Sequence, residues 1–306
     1  MKSTQPFRLA IATLIATWIL LLIGGTVNPM GASMACPDWY FVPTCNGELL
    51  PEMTGGVLYE HGHRLWASWV GLLTVVLAIQ IWRAKTDATT RNLGFLALFL
   101  VCFQGVLGGV TVKLNLHSGV STLHLATAML FFGTLVLLCF RLAPASATAA
   151  KVSRRRGLVA AVLVVAFFQV ILGGMVRHLG AGLICGDDWI GCGPSSWTKQ
   201  PLAHLHMTHR IVAYALVPLV VLAAQRVRVE ARATGNALAA KLAMWPAILV
   251  LVQVVLGLVT VATGRSVAVV TFHTGVGALV LASLWACVLA LGPAGARIGA
   301  AKDDHG

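Results

Sequence analysis

Residues 93–112 read Leu93-Gly94-Phe95-Leu96-Ala97-Leu98-Phe99-Leu100-Val101-Cys102-Phe103-Gln104-Gly105-Val106-Leu107-Gly108-Gly109-Val110-Thr111-Val112, twenty residues without a charge. A helix rising about 1.5 Å per residue covers a hydrocarbon core of about 30 Å in such a stretch. Seven further runs of this kind occur, so the expected spans are 8–28, 64–83, 93–112, 122–142, 157–177, 208–226, 242–262 and 268–291. The first is read as a retained helix, because no convincing small-residue cleavage site follows it. Of the 306 residues 58% are hydrophobic and 10% charged, with a mean hydropathy of +0.85, which excludes both a soluble globular domain and a disordered chain.

The end of that run repeats. Gln104-Gly105-Val106-Leu107-Gly108-Gly109-Val110 returns as Gln253-Val254-Val255-Leu256-Gly257-Leu258-Val259, 149 positions later. The same offset links Gly24-Gly25 to Gly173-Gly174, Cys36 to Cys185 and His124 to His273, while His63-Arg64 returns as His209-Arg210 at an offset of 146. The expected architecture is an all-α integral membrane protein whose eight transmembrane helices form two duplicated four-helix bundles, related by a pseudo-two-fold axis along the membrane normal. The expected division is an N-terminal half (1–145), a linker (146–156), a C-terminal half (157–292) and a tail (293–306). The repeated glycines read first as close-packing positions between helices.

The net charge of +12 reports topology rather than a partner. One side of the expected membrane holds sixteen of the 22 basic residues against four acids, and the other balances six bases with six acids. The basic side, with both termini, is therefore expected in the cytoplasm of a cell-membrane protein. The basic residues are scattered over short loops without interleaved aromatics, so nucleic acid is not an expected partner; the lipid bilayer is.

His63, His124, His209 and His273 fall near the start of the even-numbered spans, at one depth from the outer side. A lone intramembrane histidine is usually a hydrogen-bonded core residue, but two per half, repeated, suit the axial positions of a haem iron. Zinc would want three or four protein ligands. Arg64 and Arg210 follow two of these histidines and are expected to hold haem propionates. His61, His117, His178, His204 and His206 are weaker candidates near the outer loops, and His305 lies in the tail. Cys36 with Cys45, and Cys185 with Cys192, sit in the two long outer loops, where an oxidising compartment would make each pair a plausible disulfide. Cys102, Cys139 and Cys287 read as small buried hydrophobes. Only the first half carries a carboxylate at the entry to its second span: Glu60-His61-Gly62-His63-Arg64 faces His206-Met207-Thr208-His209-Arg210. Three positions from His63, Glu60 would share its helix face and act as a proton acceptor beside a haem rim.

These residues resemble the haem A synthases of bacteria and mitochondria. The resemblance covers nearly the whole chain: eight spans, Glu60-x-x-His63-Arg64, His124, His209-Arg210, His273, and the loop segment Gly182-Leu183-Ile184-Cys185-Gly186-Asp187-Asp188-Trp189 with Cys192. The Cys-Pro-Asp-Trp spelling familiar from the second loop stands here in the first, as Cys36-Pro37-Asp38-Trp39. The resemblance implies oxidation of a porphyrin methyl of haem O to a formyl group, giving haem A for cytochrome oxidase assembly. It implies haem O bound by His63 and His124, a resident haem b on His209 and His273, and Glu60 as the catalytic group. It also implies a haem O synthase as supplier, an electron donor and oxidase assembly factors as partners. The competing expectations are a dihaem electron-transfer protein and a haem carrier.

Overall fold

The computed structural model describes residues 4–39, 42–144, 153, 155–186, 188–193 and 200–292. The tail 293–306, most of the linker and Asp187 lie outside the described residues. Among the described residues eight helices are long and apolar enough to cross a membrane: α1 (Gln5–Val27), α2 (Gly55–Arg83), α3 (Ala88–Lys113), α4 (Ser118–Leu142), α5 (Arg156–His178), α6 (Pro201–Ala233), α7 (Ala237–Ala262) and α8 (Val267–Ala290). A turn at Ala243 interrupts α7, and a short 3-10 helix, Ala181–Leu183, lies in the second outer loop.

The expected number of spans matches, but α2 and α6 are longer than expected. α2 begins nine residues before the apolar run and α6 seven, at Gly55 and Pro201. Their first turns carry Glu60, His61, His204 and His206, polar residues that end an apolar run without ending a helix. Glu60, His61 and His206 are buried within the protein, which removes them from lipid. Phe99, Phe168 and Phe272 are more than half exposed; such outward apolar surface is what a bilayer solvates.

Neighbouring helices close into two rings. α1 packs on α2 and α4, and α3 on α2 and α4; α5 packs on α6 and α8, and α7 on α6 and α8. Each ring has its own apolar core, one around Val70, Leu77, Ile81, Leu135 and Leu138 and the other around Val159, Val220, Val227, Leu281 and Leu284. The rings meet where α1 touches α8, α4 touches α5 and α4 touches α8. Trp18 Nε1 donates to the Gly275 carbonyl across the α1–α8 seam (3.1 Å), and Gly133 leaves room for the Trp285 ring between α4 and α8.

On the side away from the histidines, polar contacts fix the helix ends. Asp87 caps α3, accepting from the Thr90 amide (3.1 Å) and hydroxyl (2.7 Å), and also pairs with Arg141 at the end of α4. The Thr90 hydroxyl bond first, with the Thr90 amide and Arg141, holds the Asp87 carboxyl below its ordinary value of 3.8. Ser153 and Arg155 of the linker both reach Glu230 on α6.

Candidate functional site

His63 and His209 are each the ninth residue of their helix, and His124 and His273 each the seventh. At about 1.5 Å per residue the first pair stands about 12 Å, and the second about 9 Å, inside the helix start. Thus the histidines lie two turns in, rather than at the mouth, and at matched heights in the two rings. His63 and His124 are within electrostatic range of each other, as are His209 and His273. Among the described residues no group of three or more His, Cys, Asp or Glu is arranged to hold a metal ion. Two-imidazole sites are what remain.

Nδ1 of all four rings is buried without a hydrogen-bond partner. Two imidazoles from neighbouring helices of one ring are a donor set that suits the axial positions of a haem iron. The surrounding glycines correct the first reading of their role in part. Gly25 and Gly174 do pack helices, against Thr271 and Leu125 of the opposite ring, but Gly24, Gly108, Gly173 and Gly257 each face a histidine ring. Glutamines brace the ligand helices as well: Gln104 donates to the His124 carbonyl (3.0 Å) and Gln169 to that of His209 (2.7 Å).

Both outer loops are tied by disulfides, Cys36–Cys45 and Cys185–Cys192, each with Cα atoms 4.7 Å apart. Of the other cysteines only Cys287 is buried; Cys102 is exposed, because its position on α3 faces outward, where lipid accepts a small thiol. Inside each loop an aspartate organises a turn. Asp38 accepts from the amides of Asn46 (2.8 Å) and Gly47 (3.2 Å), and Asp188 from those of Ile190 (3.2 Å) and Gly191 (2.7 Å). Burial alone would raise the Asp38 carboxyl, but the Asn46, Gly47 and Thr44 hydrogen bonds outweigh it and hold the group below its ordinary 3.8.

The arginines clasp these loops, a function that residue spacing did not disclose. Arg64 gives all four terminal N–H groups away: Nη1 to the carbonyls of Asp38 (2.8 Å) and Thr44 (2.7 Å), Nη2 to the Cys36 carbonyl and to Glu60 Oε1 (2.8 Å). Only Nε–H is left for a propionate. Arg210 donates from Nη1 to the carbonyls of Asp188 and Gly191 and from Nε to His206 Nε2 (3.2 Å), while its buried Nη2 has no partner.

Glu60 is 5% exposed, and both its oxygens are engaged, Oε1 by Arg64 and Oε2 by the Cys36 amide (2.9 Å). A carboxylate offers about four lone-pair sites, so acceptor capacity remains. The same position in the other half is His206, which takes the arginine's hydrogen bond without carrying a carboxylate's charge. Of the weaker histidines expected near the outer loops, His61 lies within α2, fully buried, and neither ring nitrogen has a partner among the described residues, so solvent does not satisfy it. His178 reaches across the seam to the Thr122 hydroxyl (3.0 Å), two positions from His124. Neighbouring Arg177 donates to the Gly25 carbonyl (3.0 Å).

A third difference lies over the first half. Gly109 leaves room for the indole of Trp39, whose ring would clash with any Cβ there. The equivalent position in the second half is Leu258, and Trp189 of the second loop is 52% exposed.

Residues 52–285 match the family described as cytochrome oxidase assembly protein. Among curated relatives, a haem A synthase of Exiguobacterium sp. (strain ATCC BAA-1283 / AT1b) is 30% identical over 203 residues, covering 65% of each chain. One from Shouchella clausii is 29% identical over 223 residues, covering 68% of this chain and 71% of its own. One from Lysinibacillus sphaericus is 29% identical over 209 residues, 63% of each. The alignment thus spans just under two thirds of the length of the first of these relatives.

Proposed function

The chain belongs to the cytochrome oxidase assembly protein family, and on that premise we propose that it is a haem A synthase: a membrane oxidoreductase that converts a porphyrin methyl of haem O to a formyl group, yielding haem A. The observation that carries this reading is an asymmetry between two otherwise matched sites. Both rings offer two histidines at the same heights, but one sets a buried carboxylate, Glu60, above its pair and the other a histidine, His206.

In this proposal residues 1–145 and 157–292 are copies of one four-helix unit about a pseudo-two-fold axis along the membrane normal. Support comes from the reciprocal contacts at the seam, α1 with α8 and α5 with α4, and from the matched glycines Gly25 and Gly174 that serve them. Both termini lie on the cytoplasmic side, as the basic loops require.

His209 and His273 hold the resident haem b, which supplies one-electron transfer when bound. Arg210, with Nη2 unspent, is suited to one of its propionates. His63 and His124 receive haem O. Glu60 takes a proton at a carboxylate oxygen near the methyl group being oxidised, and its ion pair with Arg64 couples that act to the loop overhead. Arg64 serves the pocket mainly by holding the loop that closes it and excludes water. A haem O synthase would supply the substrate. Two successive hydroxylations of the methyl, each consuming dioxygen, two electrons and two protons and releasing water, would give an aldehyde hydrate that loses water to the formyl group. Dioxygen, an electron donor and oxidase assembly factors would therefore complete the partners. A purely electron-conducting dihaem protein is disfavoured, because both histidine pairs sit toward one side and leave no second layer across the bilayer.

The test is extraction and mass analysis of haems from cells that make haem O, with and without this chain. Haem A appearing only with the chain is the expected result. Bound haem b with no new porphyrin, despite haem O and a working reductant, would overturn the proposal in favour of electron transfer or haem carriage.

A further inference from the structure

We infer that Gly24, Gly173 and Gly257 are positioning residues for the iron-binding imidazoles of His63, His209 and His273, fixing each ring by shape where a hydrogen bond ordinarily does so. The inference rests on the reading that these histidines hold haem. A metal-bound histidine ordinarily donates its second ring N–H to a carboxylate, carbonyl or water, which sets the ring plane. Among the described residues Nδ1 of all four is buried without a partner, and the one side-chain contact to a ring nitrogen is that of Gln253 Nε2 to His273 Nε2 (3.4 Å).

What each ring has instead is a glycine on the preceding helix. A Cβ placed at Gly24 would lie 2.9 Å from His63 Cε1 and 3.3 Å from its Nδ1, and one at Gly173 would lie 2.9 Å from His209 Cε1 and 3.5 Å from its Nδ1. At Gly257 the distance to His273 Cε1 is 3.2 Å, and at Gly108 the distance to His124 Cε1 is 3.6 Å. The same ring edge faces the glycine in every case. In the two tightest pairs Cε1 is the nearest ring atom and Nε2 the farthest of the three, at 3.7 and 3.6 Å.

The four notches are graded. Ordinary contact begins at 3.4 Å, so a methyl at Gly24 or Gly173 displaces its imidazole by about half an ångström, one at Gly257 by about two tenths, and one at Gly108 not at all. The neighbouring Gly174 is a built-in control. Its Cβ would meet Leu125 Cδ2 at the same 2.9 Å, but that is the end of a flexible side chain on α4 and not a ligand.

The experiment compares Gly173→Ala, Gly174→Ala and Gly257→Ala in full-length protein purified with its haem, reading haem b content, the absorption and low-spin EPR spectra, and the thermal midpoint. Gly173→Ala is expected to weaken haem b retention roughly 10-fold, in line with the loss of other ligand-orienting groups, and to move the EPR g-values. Gly257→Ala is expected to move them less, and Gly174→Ala to leave them unchanged even if it lowers the thermal midpoint. A wild-type spectrum and content in Gly173→Ala, or an equal disturbance by Gly174→Ala, would overturn the inference. If Gly173→Ala does not accumulate, an unchanged haem spectrum in Gly257→Ala overturns it. Wild-type protein that binds no haem b would refute the underlying haem reading instead.

Discussion

Replacing Arg64 with leucine keeps an apolar stem and deletes the loop clasp. The variant loses three bonds to backbone carbonyls, at Cys36, Asp38 and Thr44, and the ion pair with Glu60. The Arg64 side chain is 14% exposed, so water can partly rehydrate the carbonyls, but the Glu60 side chain, at 6%, stays dry and loses its counter-charge. Charge-assisted bonds of this kind are worth about 1.5–3 kcal/mol, and stranding one partner of a buried pair costs about 3–5 kcal/mol. Taking about 3–5 kcal/mol for the whole clasp, the loop's opening equilibrium rises by roughly two to three and a half orders of magnitude. Hydrogen exchange in a lipid nanodisc reads this at the amides of Cys36, Cys45, Asn46 and Gly47, all hydrogen-bonded in the closed loop. Their protection should collapse while that of α3 and α4 holds. Arg210→Leu should cost the second loop less, about 1–3 kcal/mol, because it strands the His206 imidazole rather than a carboxylate. Wild-type protection of the first loop in Arg64→Leu, or a larger effect in Arg210→Leu, would refute this account of the clasp.

Glu60→Gln should abolish haem A formation while haem O still binds; extracted haems from the variant check this, and normal haem A yield would remove Glu60 from the chemistry. His209→Ala or His273→Ala should erase the haem b absorption bands, and full occupancy in both would sink the assignment of the resident haem. Opening the Cys185–Cys192 bridge, seven residues apart, should cost the loop about 2.4 kcal/mol on chain-entropy grounds; loop-specific proteolysis of Cys185→Ser with Cys192→Ser measures it. For Asp87 the folded value lies below the ordinary 3.8, so its cap and ion pair stabilise fully above that value and fade as pH falls through the lower one. Acid melts of wild type and Asp87→Asn should therefore converge only at the acid end, and equal stability at neutral pH would contradict a stabilising role for the charged Asp87–Arg141 pair, because asparagine caps a helix about as well.

Much of the fold was legible because a bilayer imposes a length and an apolar composition on every span, and because motifs of the first half of the sequence recur in the second. The four histidines and both cysteine pairs were found that way. Helix limits were harder: Glu60 and His206 look like loop residues until their burial is known. The targets of Arg64 and Arg210 were unreadable, since loop carbonyls have no sequence signature. Gly24 and Gly173 read as helix-packing positions, and their role as space for a histidine ring needed the distance to His63 and His209. His206 as the stand-in for Glu60 was visible as a position but not as a hydrogen-bond partner of Arg210.

The bond from Trp18 to Gly275 joins residues 257 positions apart. At about 5–20 residues per second of synthesis, the first helix waits roughly 13–50 s in the membrane before the helix that completes its packing is made. Until then Trp18 holds an indole N–H with no α8 carbonyl to receive it, and the face of α1 around Gly25 lies open to lipid or to a quality-control protease. A chain stopped before α8 would thus carry its unpaired group at the opposite end, on its first helix.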